Sequence, residues 1–379
     1  MALKAWLQPG MLAGLLILGM ALPQPAAAAP ITVTDMAGRT VTLDGVPQRI
    51  ALQDGRVGMD LALLNRAAPF QDVVVWNNLL KRAQPGLWAL MVKKWPAAAA
   101  IPDMGFDDNG EVNVEQLIAD KPQLLIAELR ARPVLEQDGA MKALAEAGIK
   151  VLFVDDAEHP VPDAAKSVLL LGKVLGRARE AQAYYDFYQS HYQALRATIA
   201  KQPQPRPNVF VGALAGQHDA NNCCFTHGNF GWGVLVQEVG ARNLGSTVLH
   251  TPSGQIGMET LLAEQPDVII MTGQGPSGAM APMGFGSTAT AIDARLAALE
   301  ARPGFAQLKA VQAGRVYGIY HPFYSSVLNI VGLEYLAKFI YPAAFEDLDP
   351  GKTYADIMTR FTALPPGDAI LGQQSAPHE

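Results

Sequence analysis

Two glutamates, two adjacent cysteines with histidines nearby, and a few arginines are the residues of this chain that could do chemistry. Glu115 and Glu259 sit in matching stretches, GEVNVEQLIADKPQLLIA (Gly110–Ala127) and GQIGMETLLAEQPDVIIM (Gly254–Met271), which align without a gap. A carboxylate presented twice in one local setting suits a partner with two basic pockets, because arginine can hold a carboxylate through two parallel hydrogen bonds. Cys223 and Cys224 are the only cysteines. Adjacent cysteines can close a vicinal disulfide, stay as thiols, or contact a metal or ligand. His218 and His227 beside them add imidazoles, which ligate metals alongside thiolate. The spacing is not that of a closed zinc site, which takes four ligands in recognised pairs. Arg130 and Arg132 follow an apolar run and could pair with anionic oxygens of a ligand or remain solvated charges.

Several other chemistries have no pattern to carry them. The chain contains no G-x-S-x-G elbow, no H-E-x-x-H helix and no C-x-x-C pair. Gly273–Gly278 fits the dinucleotide fingerprint formally and follows a strand. Pro276 sits inside that turn, however, and Ala279–Ser287 opens no helix that could hold a pyrophosphate, so it reads as a cleft loop.

The elements that must position these residues follow from the repeat. Each copy begins with a Gly-containing turn, continues as a short amphipathic helix around its Glu, and breaks at Pro122 or Pro266. Each ends in an apolar, β-branched run fit for a buried strand. One such unit in each half predicts two similar α/β lobes. Ile31–Val33 and Arg39–Leu43 read as a hairpin. Strands at Gln48–Gln53, Asp72–Trp76, Leu124–Glu128 and Lys150–Asp155, alternating with helical stretches, predict a parallel, doubly wound sheet. Asn208–Ala213, the second repeat and Arg315–Tyr320 predict another.

Between the halves, Asp163–Leu175 runs to Gly176 and Arg177–Lys201 continues with Tyr184, Tyr185, Tyr188 and Tyr192 at helical spacing. About 24 residues of helix would be about 36 Å long, enough to cross from lobe to lobe and to resist hinge bending. The predicted division is residues 1–29 as a leader, 30–162 as the first lobe, 163–201 as connector and inter-lobe spine, and 202–379 as the second lobe. The predicted fold class is α/β, with two doubly wound lobes joined by one long spanning helix and a ligand cleft between them. The tail past Pro365 is predicted to fray.

Composition narrows the function. Half of the 379 residues are apolar and 17% are charged, which suits compact lobes with their own cores. A formal net charge of −6 without a basic block argues against nucleic acid. Lys4, the apolar Met11–Leu22, Pro23 and the small residues Ala26–Ala29 form a secretory leader, with cleavage placed after Ala28. Its apolar run of about 12 residues is short of the ~20 needed to span a bilayer. No Cys lies near the cleavage region, so no lipid anchor is indicated. Export also favours disulfides.

Val114-Glu115-Gln116-Leu117 with Pro122, and Met258-Glu259-Thr260-Leu261 with Pro266, carry a family resemblance. Together with the leader, the two lobes and the spine, the chain from Ile31 to about Phe361 resembles class III periplasmic substrate-binding proteins of ABC importers. That group delivers ferric siderophores, haem and cobalamin. The resemblance implies a monomer in the periplasm, without catalytic residues or an intrinsic cofactor. It would hold an iron chelate between its lobes and dock Glu115 and Glu259 into a two-fold inner-membrane permease. Ligands of open parallel sheets meet the loops beyond the carboxyl ends of strands. The first lobe offers Arg56, Trp76, Asn77, Asp103, Met104, Arg130 and Arg132 there. The second offers His218, Asn222, Cys223, Cys224, His227, Trp232, Gln274, His321 and Tyr324. Trp76 and Trp232 could equally be core residues, and His321 could cap its strand. The His- and Cys-rich Gly216–Gly231 loop departs from the family pattern and leaves the ligand open among siderophore, haem, corrinoid and bare metal. Two alternatives stand beside capture: an exported reductase or hydrolase using the Cys pair with His227, and direct metal-ion or haem binding.

Overall fold

In the computed structural model, which describes Met1 and residues 29–217, 223–275 and 280–376, each half of the chain folds around its own sheet. The leader at 2–28, His218, Asn222 and the turn at 276–279 lie outside the described residues. The first lobe opens with a hairpin, β1 (Ile31–Thr34) and β2 (Thr40–Leu43). Its sheet is parallel throughout, in the order β4 (Val73–Trp76), β3 (Ile50–Leu52), β5 (Leu124–Glu128), β6 (Lys150–Val154). Near-continuous apolar runs such as LLIAE are what a strand covered on both faces requires, and β5 is buried from end to end.

The second lobe contains β7 (Asn208–Gly212), β8 (Phe225–His227), β9 (Arg242–Asn243), β10 (Ser253–Gln255), β11 (Val268–Gly273), β12 (Val316–Tyr320) and β13 (Gly372–Gln374). The order in its sheet is β13-β12-β11-β7-β9, with only β13 antiparallel, while β8 and β10 form a separate ribbon. The tail therefore does not fray where the sequence predicts it. Gly372–Gln374 pairs along β12, Ile370 bridges Gly284, and the side chain of Leu371 is buried.

The helices that bear on the site are α1 (Gly58–Leu64), α2 (Pro85–Lys94), α3 (Val114–Asp120), α4 (Pro160–Val174), α5 (Ala178–Ile199), α6 (Trp232–Glu238), α7 (Met258–Glu264) and α8 (Asn329–Ile340). The repeat holds to the level of backbone dihedrals. Helices α3 and α7 both end on a left-handed residue, Lys121 (φ 48°) and Gln265 (φ 42°), at equivalent positions. Leu117 and Leu261 are both fully buried beneath them. The next equivalent pair, Gln123 and Asp267, donates N–H to the carbonyls of Arg49, which leads into β3, and Asn208, which opens β7.

The connector is a packed pair of helices where the sequence pattern predicts one spine. Gly176 (φ 66°) ends α4 in a conformation costly for other residues, and α5 turns back along α4. A Cβ on Gly172 would lie 2.2 Å from Ala181 Cβ, so the two backbones meet closely there. The 22 residues of α5 are about 33 Å long. Its buried face carries Ala181, Tyr184, Tyr188, Leu195 and Ile199. Helix α5 packs on α1 of the first lobe and α8 of the second, and α4 likewise touches both lobes. One continuous apolar core runs through both sheets and the connector.

Candidate ligand-binding cleft

Parallel strands deliver their carboxyl ends to one edge, and in both lobes that edge carries the polar groups. After β3 the chain turns through Asp54-Gly55-Arg56. A Cβ on Gly55 would sit 2.9 Å from the Asn77 carbonyl oxygen, so the turn takes glycine. Asp54 caps this turn by accepting the Arg56 N–H at 2.9 Å. Its carboxylate is 1% exposed and binds both Arg56 (2.6 Å) and Arg130 (2.8 Å), the latter in the turn after β5. Burial alone would raise the Asp54 pKa, but the two guanidinium groups outweigh it and hold it at about 2. The half-exposed Asp108 closes the square, accepting from Arg56 at 2.8 Å and from Arg130.

Across from these arginines the second lobe presents His227, His321 and Tyr324. Their rings cluster, with centroids 5.3 Å apart for His227–Tyr324 and 5.0 Å for His321–Tyr324. Gly231 (φ 50°) lets the chain pass beneath, since a Cβ there would meet Tyr324 at 2.7 Å and His227 Nδ1 at 2.8 Å. Arg56 lies within electrostatic range of both Tyr324 and His321, so the two lobes face each other here. His227 Nδ1 accepts the Trp232 backbone N–H at 3.2 Å, which leaves its proton on Nε2. Burial lowers the His227 pKa to about 4. His321 pairs with Thr272 Oγ1 at 2.7 Å, and burial, then His227 and Arg56, push its pKa well below the usual value. Both imidazoles are neutral, so the positive charge at this site belongs to the arginines.

Behind the arginines lies a buried acidic group. Asp60, Glu128 and Asp156 are 1%, 4% and 3% exposed. Asp60 and Asp156 meet carboxyl to carboxyl, and no donor reaches either Asp60 oxygen or Asp156 Oδ1 among the described residues. Burial first, then mutual repulsion, drives all three well above the ordinary carboxylate range.

Of the residues singled out from sequence, the structure brings Arg56, Arg130, His227, His321 and Tyr324 together. Two are corrected, Trp76 and Trp232. Trp76 is fully buried, edge-on to Phe70 and Trp88, and serves the core. Trp232 is also fully buried, its indole N–H given to the His321 carbonyl at 3.2 Å. Asp103 staples its own loop, accepting from Asn78 N–H, Gly105 N–H and Arg82. Arg132 pairs with Glu136 one turn on and shares no ion pair with Asp54. Cys223 and Cys224 form a vicinal disulfide, with Cys224 buried. Glu115 and Glu259 are exposed in the first turns of α3 and α7.

Sequence reasoning missed Asp54, Asp108, Asp60, Glu128 and Asp156. The Asp54-Gly55-Arg56 spacing could have flagged the first as a local counter-ion; the others meet only through the fold. A surface hollow of 630 Å³ near Val46, Ile118, Lys121 and Lys150 lies at the opposite, amino ends of the first-lobe strands and holds no arginine or imidazole.

No helix among the described residues is long and apolar enough to cross a membrane. No curated protein matches the chain. Among solved structures, the TroA-like periplasmic binding protein FepB from Veillonella parvula is 26% identical. It aligns with TM-score 0.82 over 92% of this chain and 100% of its own. A periplasmic heme binding protein from Pseudomonas aeruginosa is 22% identical, TM-score 0.54, over 78% of this chain and 94% of its own. An ABC-type Fe3+-hydroxamate transport system protein from Saccharomonospora viridis is 20% identical, TM-score 0.55, over 83% and 99%. Residues 72–321 match the family described as periplasmic binding protein, a span that begins at β4 and ends on the cleft residue His321; the chain belongs to that family.

Proposed function

We propose that this chain captures an anionic iron chelate between its lobes, in the periplasm, and delivers it to a two-fold inner-membrane ABC importer. Binding proteins of this family carry no intrinsic cofactor, so whatever the cleft holds is cargo. One observation carries the reading: Arg56 and Arg130 stand paired at the carboxyl ends of first-lobe strands, and Arg56 is within electrostatic range of His321 and Tyr324 of the second lobe. Guanidinium pairs suit the anionic oxygens of a chelate, and the Tyr324, His227 and Phe230 rings suit its flat or apolar parts. Iron as the metal is supported by the Fe3+-hydroxamate and heme relatives.

The enzymatic alternative would need the Cys223–Cys224 disulfide reduced before either sulfur could act as a nucleophile. Direct metal binding in the cleft would rest on His218, which is outside the described residues, and on His227.

The test is a tryptophan-fluorescence titration with ferric tris(catecholate). Arg130→Ala leaves Asp54 paired with Arg56, and with melting temperature as the fold control, affinity should fall about 100-fold. Wild-type affinity in that variant would sink the cleft assignment.

A further inference from the structure

Arg56 and Arg130 contribute two positive charges, and Asp54 and Asp108 compensate both. The two acids are not equivalent. Asp54 is 1% exposed and fixed by the turn it caps, whereas the Asp108 side chain is 43% exposed. Asp108 is the solvent-exposed counter-ion of the two, and among the described residues its carboxylate is held by the guanidinium groups alone.

The segment that carries Asp108 is anchored at its ends, and between them Asn109 N–H donates to the Asp107 carbonyl at 2.9 Å. Gly105 (φ 79°) and Gly110 (φ 90°) bracket it. Arg82 Nη2 donates to the Phe106 carbonyl at 2.6 Å, and Asn109 Nδ2 to Glu111 Oε2 at 2.9 Å. A Cβ on Gly110 would lie 3.1 Å from Ala131 Cα, which keeps the far end of the segment against the turn that bears Arg130. Asp108 lies between these anchors, so rotation of its own side chain takes the carboxylate off the guanidinium groups without moving either anchor.

We propose that Asp108 is a built-in competitor: its carboxylate occupies the anion seat of Arg56 and Arg130, and cargo binds by displacing it. The inference rests on the cleft reading above and names the chemistry it selects. A neutral ligand gains nothing by displacing a carboxylate from two arginines. An anionic one replaces it charge for charge, so the seat filters for anionic oxygens. Competition also quickens release, because Asp108 is tethered beside the seat and returns as the cargo leaves.

The opposite role predicts the opposite sign. Were Asp108 a brace that aims the arginines, removing its charge would weaken binding. Asp108→Asn is therefore compared with the wild type in titrations of anionic ferric tris(catecholate) and neutral ferric tris(hydroxamate), with melting temperature as the fold control. The variant should bind the catecholate about tenfold more tightly, mainly through slower dissociation, and the hydroxamate within about twofold of wild type. Equal or weaker catecholate binding by Asp108→Asn overturns the competitor role alone. Failure of both proteins to bind the catecholate overturns the cleft reading and this one with it.

Discussion

Asp60 and Asp156 share a site where two ionised carboxylates would repel each other, with no donor among the described residues to offset either Asp60 oxygen or Asp156 Oδ1. One of them therefore keeps its proton in the fold. The charged groups around them are Asp54 and Arg56 after β3, Glu128 at the end of β5 and Arg130 after it, and Asp155, Glu158 and His159 after β6. Tyr184 faces them from α5. Their folded pKa values lie above the unfolded ones, so the native state holds more protons. That contribution to stability is complete below the ordinary carboxylate range and is lost as pH rises through the folded values. Asp54, held at about 2, works the other way and costs stability only as pH falls below its unfolded value. Melting temperature should therefore peak in mild acid and decline toward neutrality. Asp60→Asn supplies a donor to Asp156 and should raise stability at neutral pH by about 1–2 kcal/mol while flattening that decline. A lower melting temperature for Asp60→Asn at neutral pH would rule out a strained, proton-sharing pair. None of this was legible in sequence. Asp60 reads as an ordinary helix-start acid, and its partner lies 96 residues away. Arg56 and Arg130 were legible because each follows a recognisable strand.

At the scale of elements, the lobes are clasped on one side by Phe285. It stands between Gly284 (φ 99°) and Gly286 (φ 75°) and lands on the first turn of α2. A Cβ on Gly86 would come within 2.3 Å of Phe285 Cβ, so the contact needs a bare backbone. Beside it, Tyr320 Oη donates to Gln84 Oε1 at 3.2 Å, tying β12 of the second lobe to the start of α2 in the first. Gly86→Val should wedge the clasp open, destabilise the chain by about 1–3 kcal/mol, and speed chelate dissociation in stopped-flow displacement. Unchanged dissociation with a lowered melting temperature would make the clasp purely structural. The sequence marks Gly273–Ser287 as a loop but cannot say what it touches. It also hides α2, because Pro85-Gly86 reads as a break, although proline fits the first turn of a helix. The Gly176 break was legible; that the helices on either side fold back on each other was not, since only packing at Gly172 and Ala181 decides it.

For the whole molecule, the repeat is the part most fully written in the sequence. A period of strands and helices predicts both sheets, and equal spacing around Pro122 and Pro266 places Glu115 and Glu259 alike in first helical turns. An acidic side chain there also complements the helix dipole, so local stability alone could retain each one. Exposure argues for more. Both are exposed, and neither joins a salt bridge among the described residues. A rigid connector and a core continuous through both lobes would hold the two carboxylates at one fixed separation. A two-fold permease with one basic pocket per half could then read that separation, and losing both contacts would remove their combined affinity, whereas losing one leaves the other. In reconstituted vesicles, Glu115→Ala or Glu259→Ala alone should slow chelate uptake, and the double variant should abolish it, with chelate affinity and melting temperature within error of wild type. Uptake by the double variant at the wild-type rate would mean that docking uses another face, and that the doubled acid serves only its helices.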